Sequence, residues 1–402
     1  MSAQFRWLLL VALVSMIAGT AVAGSVPLKS VSEEGLLVFE SEDGMFKWWT
    51  DTRIYLDTAF YDEDESVMGS GTKLRRGRMA WKAIVYGDWY AEFDFDLSEE
   101  HVEVKDAYVR YDNVFNRNGY IRYGNFREPF GLEENTTSRY LLFMERSQGT
   151  EMFVPGRRMG IEIACWDSDT RFAGGVFGPD IADFQTTDES QALSFTGRFT
   201  HTPVNDCEKV FHTGIAMSRR KTDFDNGYHK FKTNAETHVY DPKWMEAKIY
   251  DIDHWNLIGL EAAYCRGPML LQAEHMSTRI YRNGDLPLLD YSGGYVSASF
   301  FLTNDTHPYL NKAGEFGRVI PTNKSAGAWE VSGRWGSVDF NDEDQLFGSS
   351  SAFTLGLTWY ANPVIKMYAN FTQIDNGYYA DSDGHPADDN FNILQFRLMA
   401  AF

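Results

Sequence analysis

From Phe46 to its last residue the chain alternates apolar and polar side chains in segments of roughly ten residues, the period-two signature of β-strands. In Trp89 to Leu97, one face holds Trp89, Ala91, Phe93, Phe95 and Leu97, and the other Tyr90, Glu92, Asp94 and Asp96. Met79, Trp81, Ala83 and Val85 oppose Arg76, Arg78, Ala80 and Lys82 in the same way. About sixteen such segments are read, an ordinary strand number for a bacterial barrel. They start at Phe46, Thr72, Trp89, Val102, Gly119, Arg157, Thr170, Ala192, Lys209, His254, Pro268, Gly293, Ala326, Ser350, Pro363 and Phe391.

The gaps alternate too. Short ones are Gly87-Asp88, Asp167 to Asp169, Gly267 and Asn362. Long ones are Tyr61 to Gly71, Arg127 to Gly156, Lys221 to Asp253, Asn341 to Ser349 and Asp375 to Asn390. Short periplasmic turns and long extracellular loops give this order in an outer-membrane barrel. The parity holds with both termini on the short-turn side. Thr303 to Ser325 breaks it, being long on that side. Either it folds back into the lumen or the strand count is wrong there.

The N-terminus is an export address. Arg6 precedes the apolar run Trp7 to Ala18, and Ala21-Val22-Ala23 is a small-x-small cleavage site. The expected products are a cleaved signal peptide, 1–23, a short N-terminal periplasmic segment, 24–45, and a barrel over 46–402. No later stretch is apolar enough for a membrane helix, so a mature chain in a bilayer must be a closed barrel. The fold expected is all-β, a transmembrane antiparallel β-barrel. The last strand supports it. Leu394, Phe396, Leu398, Ala400 and Phe402 share a face opposite Gln395 and Arg397, and the terminal Phe402 resembles the assembly signal read by outer-membrane assembly machinery.

Composition agrees. Aromatic residues are 15% of the 402, as interfacial girdles would require. The net charge of −20 excludes nucleic acid as a natural partner. The three cysteines form no C-x-x-C pair and so no zinc ribbon. Cys207 and Cys265 fall at the periplasmic end of neighbouring strands, where a disulfide is possible. No metal site and no cofactor are expected.

Several motifs then occur in order. They are Leu74-Arg75-Arg76-Gly77-Arg78, Tyr86-Gly87-Asp88-Trp89 and Val104-Lys105-Asp106-Ala107-Tyr108. Next come Gly124-Asn125-Phe126-Arg127-Glu128-Pro129-Phe130-Gly131-Leu132, Phe143-Met144-Glu145-Arg146-Ser147 and Pro155-Gly156-Arg157-Arg158. The series resembles the phosphate-selective porin O and P family, as do Glu42-Asp43-Gly44 and Gly327 to Val331. The resemblance covers the mature chain. It implies a sixteen-stranded barrel, a homotrimer in the outer membrane, with the third extracellular loop folded inward to constrict the pore. Here that loop is about 127–156. Ser138 to Arg146 has near-helical apolar spacing, so a short helix on the inner wall is expected. Left in water, Leu141, Leu142, Phe143 and Met144 would form a costly apolar patch.

The function expected is a passive, water-filled channel for small hydrophilic solutes, with anions such as phosphate as the favoured class. A pore needs a wet lumen, a constriction and wall charges. The wall candidates are Arg76, Arg78 and Lys82, then Glu92, Asp94 and Asp96, then Arg110, Arg122, Arg158, Arg198, Arg220, Lys366 and Arg397. In the loop, Arg127, Arg139 and Arg146 compete with Glu128, Glu133, Glu134 and Glu145. The competing reading is that these charges pair with one another. The acidic balance and the absence of a clear arginine ladder weigh against phosphate selectivity, with Ser218 to Lys221 the nearest candidate. Two other functions remain open: a plugged barrel acting in adhesion or surface structure, and a barrel hydrolase. The hydrolase is disfavoured because no G-x-S-x-G or H-E-x-x-H occurs.

Overall fold

The computed structural model describes residues 36–63, 67–182, 191–206, 209–222, 227–240, 242–343, 345–377 and 390–402. The expected leader 1–23 and Cys207 lie outside them. Sixteen strands form the wall: β1 (Phe46–Glu63), β2 (Gly71–Val85), β3 (Trp89–Asp96), β4 (Glu103–Val114), β5 (Gly119–Arg127), β6 (Arg157–Trp166), β7 (Thr170–Phe177) and β8 (Ser194–Asn205). They continue as β9 (Lys209–Arg220), β10 (Ile252–Arg266), β11 (Met269–Arg282), β12 (Leu289–Phe301), β13 (Ala328–Asp342), β14 (Gln345–Tyr360), β15 (Ile365–Asn376) and β16 (Phe391–Ala401). Each bonds antiparallel to its neighbour in sequence, and β1 bonds to β16, so the sheet closes.

Burial inverts the soluble rule. Along β16, Gln395 and Arg397 are buried while Leu394, Phe396 and Leu398 are exposed. On β14, Thr354 and Thr358 are buried, and Phe353, Leu355 and Leu357 face outward. Each such outward side chain is worth about 1.5–3 kcal/mol when removed from water, and here lipid supplies that transfer. Trp329 and Trp359 stack at 5.6 Å where β13 begins and β14 ends, on the short-turn rim, the place of an interfacial girdle.

Most strands start within two residues of the expected positions. The widest misses are β12 and β14, which start at Leu289 and Gln345 rather than Gly293 and Ser350. The expected long connection Asn341 to Ser349 is therefore only 343–344, because β13 and β14 keep pairing to Asp342↔Gln345. Residues 36–45 of the expected N-terminal segment are among those described. Leu36–Glu40 pairs with the start of β1, Phe39 opposite Trp48 and Glu40 opposite Lys47.

Gly124 shows why one motif glycine is needed. Its φ is +141°, and an added Cβ would collide with the Ala107 carbonyl oxygen and with Tyr108 on β4.

Three connections run into the barrel. The first follows β5 and contains two short helices, α1 (Leu132–Asn135) and α2 (Gln148–Phe153). The second is a hairpin of His229–Thr233 and Met245–Ile249, between β9 and β10. The third lies between β12 and β13 on the short-turn side, and its hairpin pairs Tyr309–Leu310 with Glu315–Phe316. This is the segment that broke the loop parity, and it folds back into the lumen.

Candidate functional site

The lumen is where the inward connections meet the wall. The loop after β5 is fixed from several sides. Arg397 of β16 donates to the Met144 carbonyl and pairs with Glu145 and with Asp57 of β1. Tyr368 and Lys366 of β15 donate to the Leu141 carbonyl at 2.9 and 3.4 Å. Glu274 of β11 accepts from the backbone of Leu132 and Glu133 at 2.7 and 2.6 Å. Leu141, Leu142, Phe143 and Met144 are all buried, as expected. The helix expected over Ser138 to Arg146 does not form; the helices flank it instead. The physical reason is that carbonyls which would close helical turns are spent on Lys366, Tyr368 and Arg397.

The hairpin between β9 and β10 is bound inward as well. Glu236 accepts from Thr354 of β14 at 2.6 Å and pairs with Arg334 of β13 at 2.7 Å. Arg334 also holds Glu133 of the first loop at 2.7 Å. A single buried arginine therefore clasps two loops.

The predicted wall charges are nearly all in the lumen, and nearly all are paired. Arg78 pairs with Asp94 and approaches Asp106 at 3.4 Å. Lys82 bridges Asp51 at 3.0 Å and Glu92 at 3.5 Å, and Arg139 joins Asp51 at 2.8 Å. Asp96 instead accepts from Gly77 and Ser98. Arg122 holds Glu162, Arg198 holds Glu261, and Arg220 holds Glu128. Arg127 and Arg146 share Glu134 at 2.9 and 2.8 Å. Arg110 pairs with Asp112 toward the short-turn end, away from this cluster, and Arg158 has, among the described residues, only Asp180 at 3.8 Å. Two of the loop carboxyls, Glu134 and Glu145, titrate below the usual range; burial opposes this, but Arg146 and Arg127 outweigh it at Glu134, and Arg75, His238 and Arg397 at Glu145.

Lys366, held by the Leu141 carbonyl, is one exception and Arg76 is another. No carboxylate lies within ion-pair distance of it among the described residues; its guanidinium sits 5.8 Å from the Tyr55 ring, and its Nε is buried without a hydrogen-bond partner. A β-bulge explains its company. The register slips from Tyr55↔Arg76 to Leu56↔Leu74, leaving Arg75 unmatched. Strict alternation puts Arg75 outside, but the bulge turns it inward onto Glu145 at 2.8 Å. Arg75 was invisible to the sequence pattern, as was Glu236 in its loop, whereas Arg334 shares the polar face of β13 with Glu330 and Ser332, a placement alternation can find. Of the candidate segment Ser218 to Lys221, only Ser218 and Arg220 face inward; Arg219 is exposed.

Glu92, Asp94 and Asp106 lie close enough to share a cation, but Lys82, Arg78 and Arg157 already supply the positive charge. Cys265 carries a free thiol facing the Thr306 hydroxyl at 3.6 Å. Its expected disulfide partner, Cys207, lies outside the described residues.

The inward hairpin from the short-turn side meets the first loop at mid-lumen. Phe316 packs with Leu132, Leu142 and Phe143. Arg171 and Arg198 donate to the Lys312 and Gly314 carbonyls, and His212 bonds the Tyr309 hydroxyl at 2.6 Å. Glu315 accepts from the Thr137 backbone, and burial pushes its carboxyl up to about 7 against the pull of Arg127 and Arg198. A free glutamate titrates near 4.3. The seated, protonated form is therefore fully favoured below that value and loses support as pH rises through about 7. Opening events in single-channel records should become more frequent between roughly pH 5 and pH 8, and Glu315→Gln should flatten the dependence. A pH-independent wild-type record would refute this coupling.

Comparison with known proteins gives the same architecture. The family described as phosphate-selective porin O and P matches residues 50–402. Porin O of Pseudomonas aeruginosa is 24% identical over 423 residues, spanning 94% of this chain and 95% of its own. An anion-selective porin from Comamonas acidovorans superimposes with a TM-score of 0.58 at 13% identity, covering 89% of this chain and all of that one (100%). OmpT of Vibrio cholerae gives 0.59 at 11% identity for the in-vitro folded protein (91% and 99% covered), and 0.54 at 10% identity in its trimer form (89% and 99%).

Proposed function

The chain belongs to the phosphate-selective porin O and P family, and from that membership we propose that its lumen favours small anions over cations of like size. It is a passive outer-membrane channel rather than an enzyme, so function rests on what the lumen admits. The observation that carries the anion reading is Arg76, the cation of the predicted basic row that makes no ion pair among the described residues. Paired charges such as Arg78 and Asp94 fix the wall but present little net field. An unpaired guanidinium in a narrow polar lumen lowers the barrier for anions and raises it for cations. Phosphate is the solute suggested by the family's name.

The working assembly in this reading is a homotrimer in the outer membrane, supported by the trimer form of OmpT. The expected signal peptide ending at Ala23 would deliver the chain there, and Phe402 would present its last strand to the assembly machinery. A second reading, a plugged barrel with an adhesive or structural role, draws on the three inward connections.

Purified trimers in a planar bilayer under a salt gradient test both. Wild type should conduct in steps with an anion-directed reversal potential. Arg76→Gln should move that potential toward the cation side while leaving step size within about a factor of two. A cation-directed wild-type potential sinks the anion filter. Folded trimers that never conduct favour the plugged barrel.

A further inference from the structure

An apolar groove crosses the lipid-facing surface of β6 to β10, outside the lumen. Gly174 and Gly197, opposite each other in the register, leave its floor bare. The exposed side chains of Phe172, Phe195, Met217 and Ile258 stand around it. The recess is open at Gly197. A Cβ added there would meet nothing closer than the Ala173 carbonyl oxygen at 3.8 Å and the Phe172 ring at 3.9 Å.

Arg219 heads the groove, and it alone is charged among the described residues that line it. It is exposed on β9, opposite Phe195 of β8 and Asn256 of β10. Among the described residues no hydrogen bond or ion pair holds it. Asp253 lies within electrostatic reach, but it also faces Lys221 and is bonded to His254 at 2.7 Å. The same register line continues to Arg279 and Asp290, where the guanidinium does have a carboxylate, at 2.8 Å. Arg219 stands eight residues along β9 from Phe211, near the short-turn end. Eight residues of a tilted strand climb about 20 Å, most of the roughly 25 Å apolar band of an outer-membrane barrel. The guanidinium is therefore at the headgroup level on the long-loop side, with the groove below it. We propose that this groove seats a phosphate-bearing lipid of the outer leaflet, with one acyl chain over Gly174 and Gly197 and the headgroup phosphate on Arg219.

A guanidinium fork takes two phosphate oxygens at once, and the Asn256 amide can donate to a third. In a bilayer the chain gains only packing, because lipid tails are as apolar as the groove. The phosphate contact therefore selects which lipid stays, and the recess sets where its chain lies. The site is on the outside of the wall, so it stands whatever the lumen admits. It rests only on the outer-membrane placement, with the long loops outward.

The test is native mass spectrometry of the full-length protein, purified in detergent, stripped of co-purified lipid and titrated with diphosphoryl lipid A. Wild type should bind one lipid per chain ahead of weaker additions. Arg219→Gln should weaken that first step by at least about tenfold, which is roughly 1.4 kcal/mol. Gly197→Leu, whose Cβ has room and whose side chain fills the recess, should weaken it by a similar factor. Phosphatidylcholine, whose choline cation offsets its phosphate, should bind less tightly than lipid A. Retained heat-modifiability shows that the variants fold. Wild-type binding in both variants, or equal binding of phosphatidylcholine, overturns the site. A loss confined to Arg219→Gln overturns it too, since the groove would then hold no chain. The anion reading fails separately, through the reversal potential.

Discussion

Excision of residues 305–324, with the gap closed by a short glycine-asparagine turn, should raise single-channel conductance several-fold. The excised segment enters from the short-turn side and ends against the first loop, with Phe316 among Leu132, Leu142 and Phe143. Segment and loop thus meet in the lumen, and removing one of them should widen the path where they touch. The barrel itself should survive. β12 and β13 pair from Ser292↔Asp339 to Phe301↔Glu330 without help from the segment between them. Arg198 would lose the Gly314 carbonyl but keep Glu261 at 2.6 Å, so no charge is stranded there. Arg171 would lose the Lys312 carbonyl and face water in the wider pore, at little cost. The reversal potential should keep its sign, because Arg76 stays in place. Folded trimers with wild-type conductance would mean that this segment does not restrict flow.

Arg334→Met is expected to be the most disruptive single substitution in the lumen. Arg334 is 2% exposed, pairs with Glu133 and Glu236, and stands over the Phe143 ring at 4.5 Å. Its loss leaves two buried carboxylates without their cation, a change that costs about 3–5 kcal/mol when one partner of a buried pair is removed. The barrel wall has hydrogen bonds to spare, so the penalty should be relieved by release of the two loops rather than by unfolding. Three readouts follow: noisier open-channel current, new protease cleavage within residues 128–156 and 229–249, and a lower unfolding temperature. Adding Glu133→Gln and Glu236→Gln to Arg334→Met should recover much of the loss, since neutral amides need no cation. A quiet channel with protected loops in Arg334→Met would show that the clasp is dispensable.

The parts of this structure that sequence periodicity could reach were those that obey a fixed period. Strand positions follow the alternation, so Trp89, Gly119, Arg157 and Phe391 mark true strand starts. The inward placement of Arg78, Lys82, Arg122, Arg198 and Arg397 follows from the same rule. What escaped depends on breaks in the period or on contacts distant in sequence. One unmatched residue at the β2 bulge re-aims Arg75, and nothing in Leu74 to Arg78 announces a slip. The apolar run Leu141 to Met144 correctly foretold burial, but helical spacing misled about conformation, because wall donors take the carbonyls. That the charges pair was a reading the sequence already offered; which partners meet was not legible in it. Glu145 meets Arg75 and Arg397 across 70 and 252 residues, distances at which local patterning is silent.

The closing pair of strands also sets an order of events. The β1–β16 seam joins Asp57 to Arg397, 340 residues apart, and ends where Thr52 and Phe402 exchange backbone hydrogen bonds at 2.7 and 3.0 Å. The seam cannot zip until β16 is present, and bringing β1 and β16 together closes a loop of more than 300 residues. Until then, the growing sheet has two unpaired margins, each able to recruit a stray strand. A chain without β16 would therefore present a sticky open sheet rather than a slightly smaller barrel.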